Sequence, residues 1–142
     1  MSSPWAVLAL WLFAFLPWVN GQNTIYWTDS LAGRLQRSSA DGAYIQTLLE
    51  RPQLGSPGAL AINPGVRLYI GDGTRIFQAE LDGKNPETFF STGTTAVTAI
   101  VVGPDGKIYW TDISGMVNRA NADKTGVETW ISKPRVNAPG AL

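Results

Sequence analysis

Ile25-Tyr26-Trp27-Thr28-Asp29 recurs as Ile108-Tyr109-Trp110-Thr111-Asp112, and a weaker copy, Leu68-Tyr69-Ile70-Gly71-Asp72, stands between them. The tyrosines lie 43 and then 40 residues apart. Recurrence at a fixed period outranks local propensity as a guide to architecture, because each repeat is one unit that its neighbours must complete. Two further markers keep the same phase. Ala40-Asp41-Gly42, Leu81-Asp82-Gly83 and Ala122-Asp123-Lys124, the last with Gly126 close behind, follow the three copies in turn. Pro57-Gly58-Ala59-Leu60 precedes the second copy and returns as Pro139-Gly140-Ala141-Leu142, 82 residues later, or two periods of 41.

Each period reads as short strands separated by turn residues. Ala59 to Ile62 and Thr98 to Val102 are apolar and suited to strands; Asn63-Pro64-Gly65 and Gly103-Pro104-Asp105-Gly106 then supply turn chemistry, Pro fixing φ and Gly accepting positive φ. The aromatic strands follow at Leu68 to Ile70 and Ile108 to Trp110. Third strands are predicted at Arg34 to Arg37, Arg75 to Leu81 and Met116 to Ala120, and fourth strands at Ile45 to Leu49, Glu87 to Phe90 and Val127 to Ile131. Four strands in about 41 residues is the pattern of one propeller blade. No sustained 3.6-residue apolar period occurs after residue 21, so no helix is expected there.

With Tyr26-Trp27-Thr28-Asp29 and Tyr109-Trp110-Thr111-Asp112 in view, the chain resembles the YWTD repeats, or class B repeats, of the low-density lipoprotein receptor family. The likeness runs from Thr24 to Leu142. The resemblance implies an all-β fold, a portion of a six-bladed YWTD β-propeller with about three four-stranded blades, the motif lying on the second strand of each. It also implies a receptor-like module that binds an extracellular protein ligand and performs no chemistry. The middle copy departs from the pattern, since Ile70 and Gly71 replace Trp and Thr.

Physically the motif reads as a packing device. Alternation along a strand sends Tyr26 and Thr28 to one face and Trp27 and Asp29 to the other, so each copy serves both neighbours of its sheet. Aromatics fill such gaps, covering about 150–250 Å² each. An aspartate at the strand end accepts backbone N–H groups that would otherwise lack partners. Tyr26, Trp27, Thr28, Asp29, Tyr69, Asp72, Tyr109, Trp110, Thr111 and Asp112 are therefore structural repeat residues, and repetition favours that reading, because catalysis needs one copy of a group and packing needs one per sheet. Arg34, Arg37, Arg75 and Arg119 are expected to be solvated strand residues. The Gly-rich stretches lack the strand-loop-helix setting of a phosphate cradle and read as turns.

Composition narrows the chemistry. The 142-residue chain has 11 basic and 11 acidic side chains and no His or Cys. That removes disulfides, thiolate and imidazole metal ligands and the usual neutral-pH base. The cations are scattered singly, which does not suit nucleic acid. No Asn-x-Ser/Thr sequon occurs, so N-glycosylation is not expected. The sequence therefore implies no enzyme, no cofactor, no metal and no nucleic acid. The alternative is a calcium-dependent propeller hydrolase or lactonase, for which Asp29, Asp72, Asp112, Asn63 and Asn118 would supply oxygen ligands.

Trp5 to Val19 is an uncharged apolar run, short of the roughly 20 residues of a spanning helix. It reads as a helical secretory leader, residues 1–21, cleaved between Gly21 and Gln22, although the only positive charge before it is the α-amino group; an uncleaved membrane anchor and a buried core segment are the alternatives. The mature segment, residues 22–142, is then secreted and off the membrane. Strand counting gives three in the first unit, four in each of the next two and one begun at Pro139, so the expectation is a truncated portion of a longer propeller. Self-association is the other expectation: two chains would make six blades, with Ala138 to Leu142 of one completing the first blade of its partner.

Overall fold

The strands predicted from the repeat assemble into three sheets in a computed structural model that describes residues 14–19 and 22–132. The first sheet holds β1 (Ala14–Val19), β2 (Gln22–Asp29), β3 (Arg34–Ser39) and β4 (Gln46–Leu49). The second holds β5 (Pro57–Asn63), β6 (Arg67–Asp72), β7 (Arg75–Ala79) and β8 (Glu87–Ser91). The third holds β9 (Val97–Val102), β10 (Ile108–Asp112), β11 (Val117–Ala120) and β12 (Glu128–Ile131). Each sheet is an antiparallel meander in chain order, and the repeated motif lies on its second strand. No helix occurs among the described residues. The strand expected to run to Leu81 stops at Ala79, because Gly83 N–H bonds the Glu80 carbonyl at 2.9 Å and draws residues 80–83 into the turn.

At residues 14–19 the structure departs from the helix expected of the leader. Residues 1–13 and 20–21 lie outside the described residues, but residues 14–19 form a strand rather than a helix. β1 pairs with β2 through Ala14–Tyr26, Phe15–Ile25 and Leu16–Thr24. The second strand of a meander needs partners for the backbone groups on both its edges, and the adjacent apolar run supplies them. The ladder shifts between Leu16 and Val19, around Pro17, which has no N–H to give. The first sheet thus has four strands, not the expected three. The place foreseen for Ala138 to Leu142 of a second chain is taken by β1, while residues 133–142 fall outside the described residues.

Two apolar clusters join the sheets, and alternation on the second strands builds both. Tyr26, Leu35 and Leu49 of the first sheet meet Leu60, Leu68, Ile70 and Phe77 of the second, with Leu54 of the connecting segment between them. On the opposite face of the second sheet, Ala59, Ala61, Tyr69, Ile76 and Phe89 meet Val97, Ile100, Ile108 and Trp110 of the third. The tyrosine position therefore points to the following sheet, and the next residue, Ile70 or Trp110, points to the preceding one.

The changes in the middle copy have a steric reason. Thr28 Oγ1 crosses to the Gly58 carbonyl at 2.9 Å, whereas a Cβ on Gly71, its counterpart, would sit 3.0 Å from Val97 Cγ1 and 3.1 Å from Ala59 Cβ. The missing side chain lets the third sheet close on the second. Gly83 does the same between the first two sheets, since a Cβ there would lie 2.9 Å from Leu48.

Trp110 is only 1% exposed, lies against Phe90 with ring centroids 5.2 Å apart, and its indole N–H has no hydrogen-bond partner. Trp110→Ala should cost about 3–5 kcal/mol of unfolding free energy. Trp110→Phe removes the unpaired donor with much of the ring and should cost less than about 2 kcal/mol. Denaturant titration of both variants checks the difference.

Candidate binding groove

The motif aspartates lie at strand ends, and each is occupied by groups of its own surroundings. Asp29 Oδ1 accepts the Ala32 N–H at 2.9 Å within the β2–β3 turn. Asp72, whose side chain is 2% exposed, accepts Gly55 N–H at 3.0 Å and Ser56 N–H at 2.6 Å, and pairs with Arg75 at 2.7 Å. It thereby ties the segment linking the first two sheets to the end of β6. Asp112 accepts the Ser114 N–H at 2.9 Å, the Ser114 hydroxyl and Asn118 Nδ2 at 3.0 Å. Among the described residues no group of three or more acidic, His or Cys side chains is placed to hold a metal ion. Asp29, Asp72 and Asp112 stand on three different sheets and are not brought together.

The arginines are engaged rather than merely solvated. Arg37 gives Nε–H to Gln46 Oε1 at 3.0 Å and reaches the Leu81 carbonyl of the next sheet at 3.1 Å. Arg75 lies 4.6 Å over the Phe77 ring. Arg119 pairs with Glu128 at 2.7 Å and lies 5.5 Å over Trp130. Arg34 approaches Glu50 at 3.6 Å, both exposed.

A groove of about 1010 Å³ opens between the first two sheets, where the β3–β4 turn meets the β5–β6 and β7–β8 turns. Its floor is the Leu81 carbonyl, bonded by the Tyr26 hydroxyl at 3.0 Å as well as by Arg37. Arg37 and Arg67 line it together with Glu80 and Asp82, so neither sign of charge dominates. The hydroxyls nearby are committed to the chain: Ser38 Oγ bonds the Ser39 carbonyl at 3.0 Å and Ser39 Oγ the Asp41 carboxylate at 2.5 Å. The sequence has no imidazole to activate them. The groove offers an aromatic and polar concavity, not a nucleophile.

On the rim stands Tyr44, 88% exposed and held at φ 54°. In the equivalent turns this place is taken by Asn85 at φ 50° and Gly126 at φ 63°, residues that enter the left-handed region readily. A tyrosine there is strained, by about 1–3 kcal/mol for such backbone outliers generally, for a side chain left largely in solvent.

The same architecture occurs in proteins of known structure. A chain of the crystal structure of a nidogen/laminin complex matches with a TM-score of 0.76 and 28% identity over 84% of this chain and 47% of its own length. The repeated motif on the second strand of successive four-stranded sheets, with this neighbour, decides the fold. The chain is a portion of a YWTD-type β-propeller. A catalytically inactive virginiamycin B lyase from Staphylococcus aureus, solved with quinupristin, matches at TM-score 0.75 and 19% identity over 99% of this chain and 47% of its own. A streptogramin B lyase matches at 0.72 and 11% identity over 98% and 60%. At those identities the lyases share the fold alone. The propeller segment spans about half the length of the first two neighbours. No protein-family model matches the chain, and no curated protein matches its sequence.

The three sheets are blades, and their β3-, β7- and β11-terminal turns are chemically equivalent. Asp41, Asp82 and Asp123 each accept the N–H two residues on, from Ala43, Lys84 and Thr125, at 3.0 Å. The Ser39 hydroxyl holds Asp41 below its ordinary value, Lys84 does so for Asp82, and the Thr125 hydroxyl for Asp123. A carboxylate lowered in the folded state stabilises its turn above the unfolded value near 3.9 and loses that contribution as pH falls through the folded value. Titration followed by carbon-13 shifts should give three midpoints below about 3.9, with the amide resonances of Ala43, Lys84 and Thr125 moving in step.

Proposed function

We propose that this propeller segment is a non-catalytic binding module that takes a protein ligand in the groove between its first two blades, with Tyr44 as the anchor. The observation that carries the reading is the strained, exposed ring at a position where the other two blades place Asn85 and Gly126. A backbone held out of its comfortable region for a largely exposed side chain points to use of that side chain elsewhere, and tyrosine is enriched among the residues that dominate protein interfaces. The mixed charges around it suit a protein surface better than a polyanion.

The nidogen/laminin neighbour supports an extracellular protein as the ligand, and the apolar leader supports secretion. For an enzyme of the lyase or hydrolase type, a proton-transferring or ion-binding constellation would be required. This sequence contains no histidine, and the inactive virginiamycin B lyase is a His-to-Ala variant. Calcium titration with thermal melting tests the hydrolase alternative, since a calcium-dependent rise of the melting temperature would favour it.

Binding of the chain to immobilised extracellular-matrix proteins, laminin first, tests the groove. Tyr44→Asn should weaken binding at least about tenfold while leaving the melting temperature unchanged or higher. Unchanged affinity with a folded variant would remove Tyr44 from the interface.

A further inference from the structure

Each blade pairs the cross-strand neighbour of its motif tyrosine with one residue of the fourth strand, and the first blade differs there from the other two. Glu87 faces Gln78 on the second blade and Glu128 faces Arg119 on the third, whereas Gln46 faces Arg37 on the first. In the third blade the glutamate neutralises the guanidinium, with Arg119 2.7 Å from Glu128 Oε1. In the first, Arg37 has only uncharged acceptors, the Gln46 amide oxygen at 3.0 Å and the Leu81 carbonyl at 3.1 Å. Among the described residues no carboxylate pairs with it.

Arg37 is also partly buried, in the lining of the groove between the first two blades. Arg67, contributed by the second blade, lines the same groove, is likewise partly buried, and forms no hydrogen bond or ion pair through its side chain with a described residue. Glu87 is held below its ordinary value by the Gln78 amide first and Lys124 next, and feels Arg67 least. The acids of the groove are occupied within their own turn: Asp82 pairs with Lys84 at 2.7 Å, and Glu80 accepts Asn85 Nδ2 at 2.6 Å. The groove's charges balance by count, but those left without a counter-ion are both positive.

A guanidinium keeps its charge at any working pH, and its planar fork matches a carboxylate. Partial withdrawal from water strengthens that attraction relative to a fully exposed pair. Beside the two arginines stand the exposed side chains of Tyr44 and Val66, an apolar contact for whatever residue flanks the acid.

We propose that the protein ligand presents an aspartate or glutamate side chain to Arg37 and Arg67, next to an apolar residue resting on Tyr44 and Val66. The partner thereby supplies the carboxylate that Glu128 supplies within the third blade. This rests on the reading of the groove as a protein-binding site and adds the chemistry of what it takes: one carboxylate, since Glu80 and Asp82 close by would repel a polyanion.

Titration of the nitrogen-15-labelled chain with an end-blocked peptide, Gly-Leu-Asp-Leu-Gly, and with its Asn analogue tests the proposal. The Asp peptide should move the Arg37 Nε–H resonance and the amides of Tyr44, Val66 and Leu81, and the Asn peptide should bind at least about tenfold more weakly. Arg67→Gln should weaken the Asp peptide with the melting temperature unchanged, because Arg67 holds nothing in the fold. Gln46→Glu, which copies the third blade, should keep or raise the melting temperature and reduce the Asp peptide to the affinity of the Asn peptide; a merely structural Gln46 would leave the difference between the peptides intact. Equal binding of the two peptides, no shift in the groove at millimolar peptide, an equal response to inorganic phosphate, or Asp-peptide binding indifferent to both Gln46→Glu and Arg67→Gln each overturns the proposal. In any of these events laminin binding by Tyr44→Asn separates the two readings: a loss there leaves the groove a protein-binding site without a preference for acid, and no loss removes the groove as well.

Discussion

Everything in this structure depends on the second strand of each blade packing against two neighbours at once. A four-stranded meander of this length has two large faces and little interior of its own, so it is stable only as a layer between others. Alternation along a strand solves the geometry with adjacent residues: Tyr69 is committed to the third blade and Ile70 to the first. Because the demand is renewed at every blade, the residues that meet it recur, and the recurrence is the repeat.

Around that packing, small differences between copies are mutually adjusted. Where the first blade sends the Thr28 hydroxyl to the Gly58 carbonyl, the second omits the side chain at Gly71 and the third fills the gap with Val97. Where Gly83 permits close approach to Leu48, the third blade has Lys124, which bonds the Thr88 carbonyl and pairs with Glu87 across the interface. The joint between blades one and two is consequently apolar and tight at this point, and that between two and three is bridged by a charged side chain. The segment between the first two blades is fastened in turn by Asp72, a nearly fully buried carboxylate at the end of β6 away from the groove.

Much of this was legible from the spacing of Tyr, Asp-Gly and Pro-Gly-Ala-Leu, since turn residues and strand alternation act locally. The motif roles of Tyr26, Tyr69 and Trp110 follow from period and pleat alone. Other features were not legible. The groove is formed by turns far apart in sequence, Tyr44 lining it with Val66 and Asp82, 22 and 38 residues away, and no local pattern announces that meeting. A signal for Tyr44 did exist: aligning the turns on Asp41, Asp82 and Asp123 sets a tyrosine beside Asn85 and Gly126, and only the folded backbone shows that all three share the left-handed region. The helix expected of the leader at residues 14–19 is a strand for a physical reason. An apolar run of its length satisfies the description of a secretory helix, yet its residues 14–19 pair equally well with an open strand edge, and the edge of β2 lies directly beside them.

By itself, then, the sequence determined the class of fold, the blade as its unit and the inward-facing role of the aromatic strand, because each rests on interactions between residues close in the chain. Tertiary structure decided which face of each blade is covered, where the groove lies and what completes the first sheet. Those outcomes depend on surfaces brought together from separate repeats, and near-identical repeats become different in function only by having different neighbours.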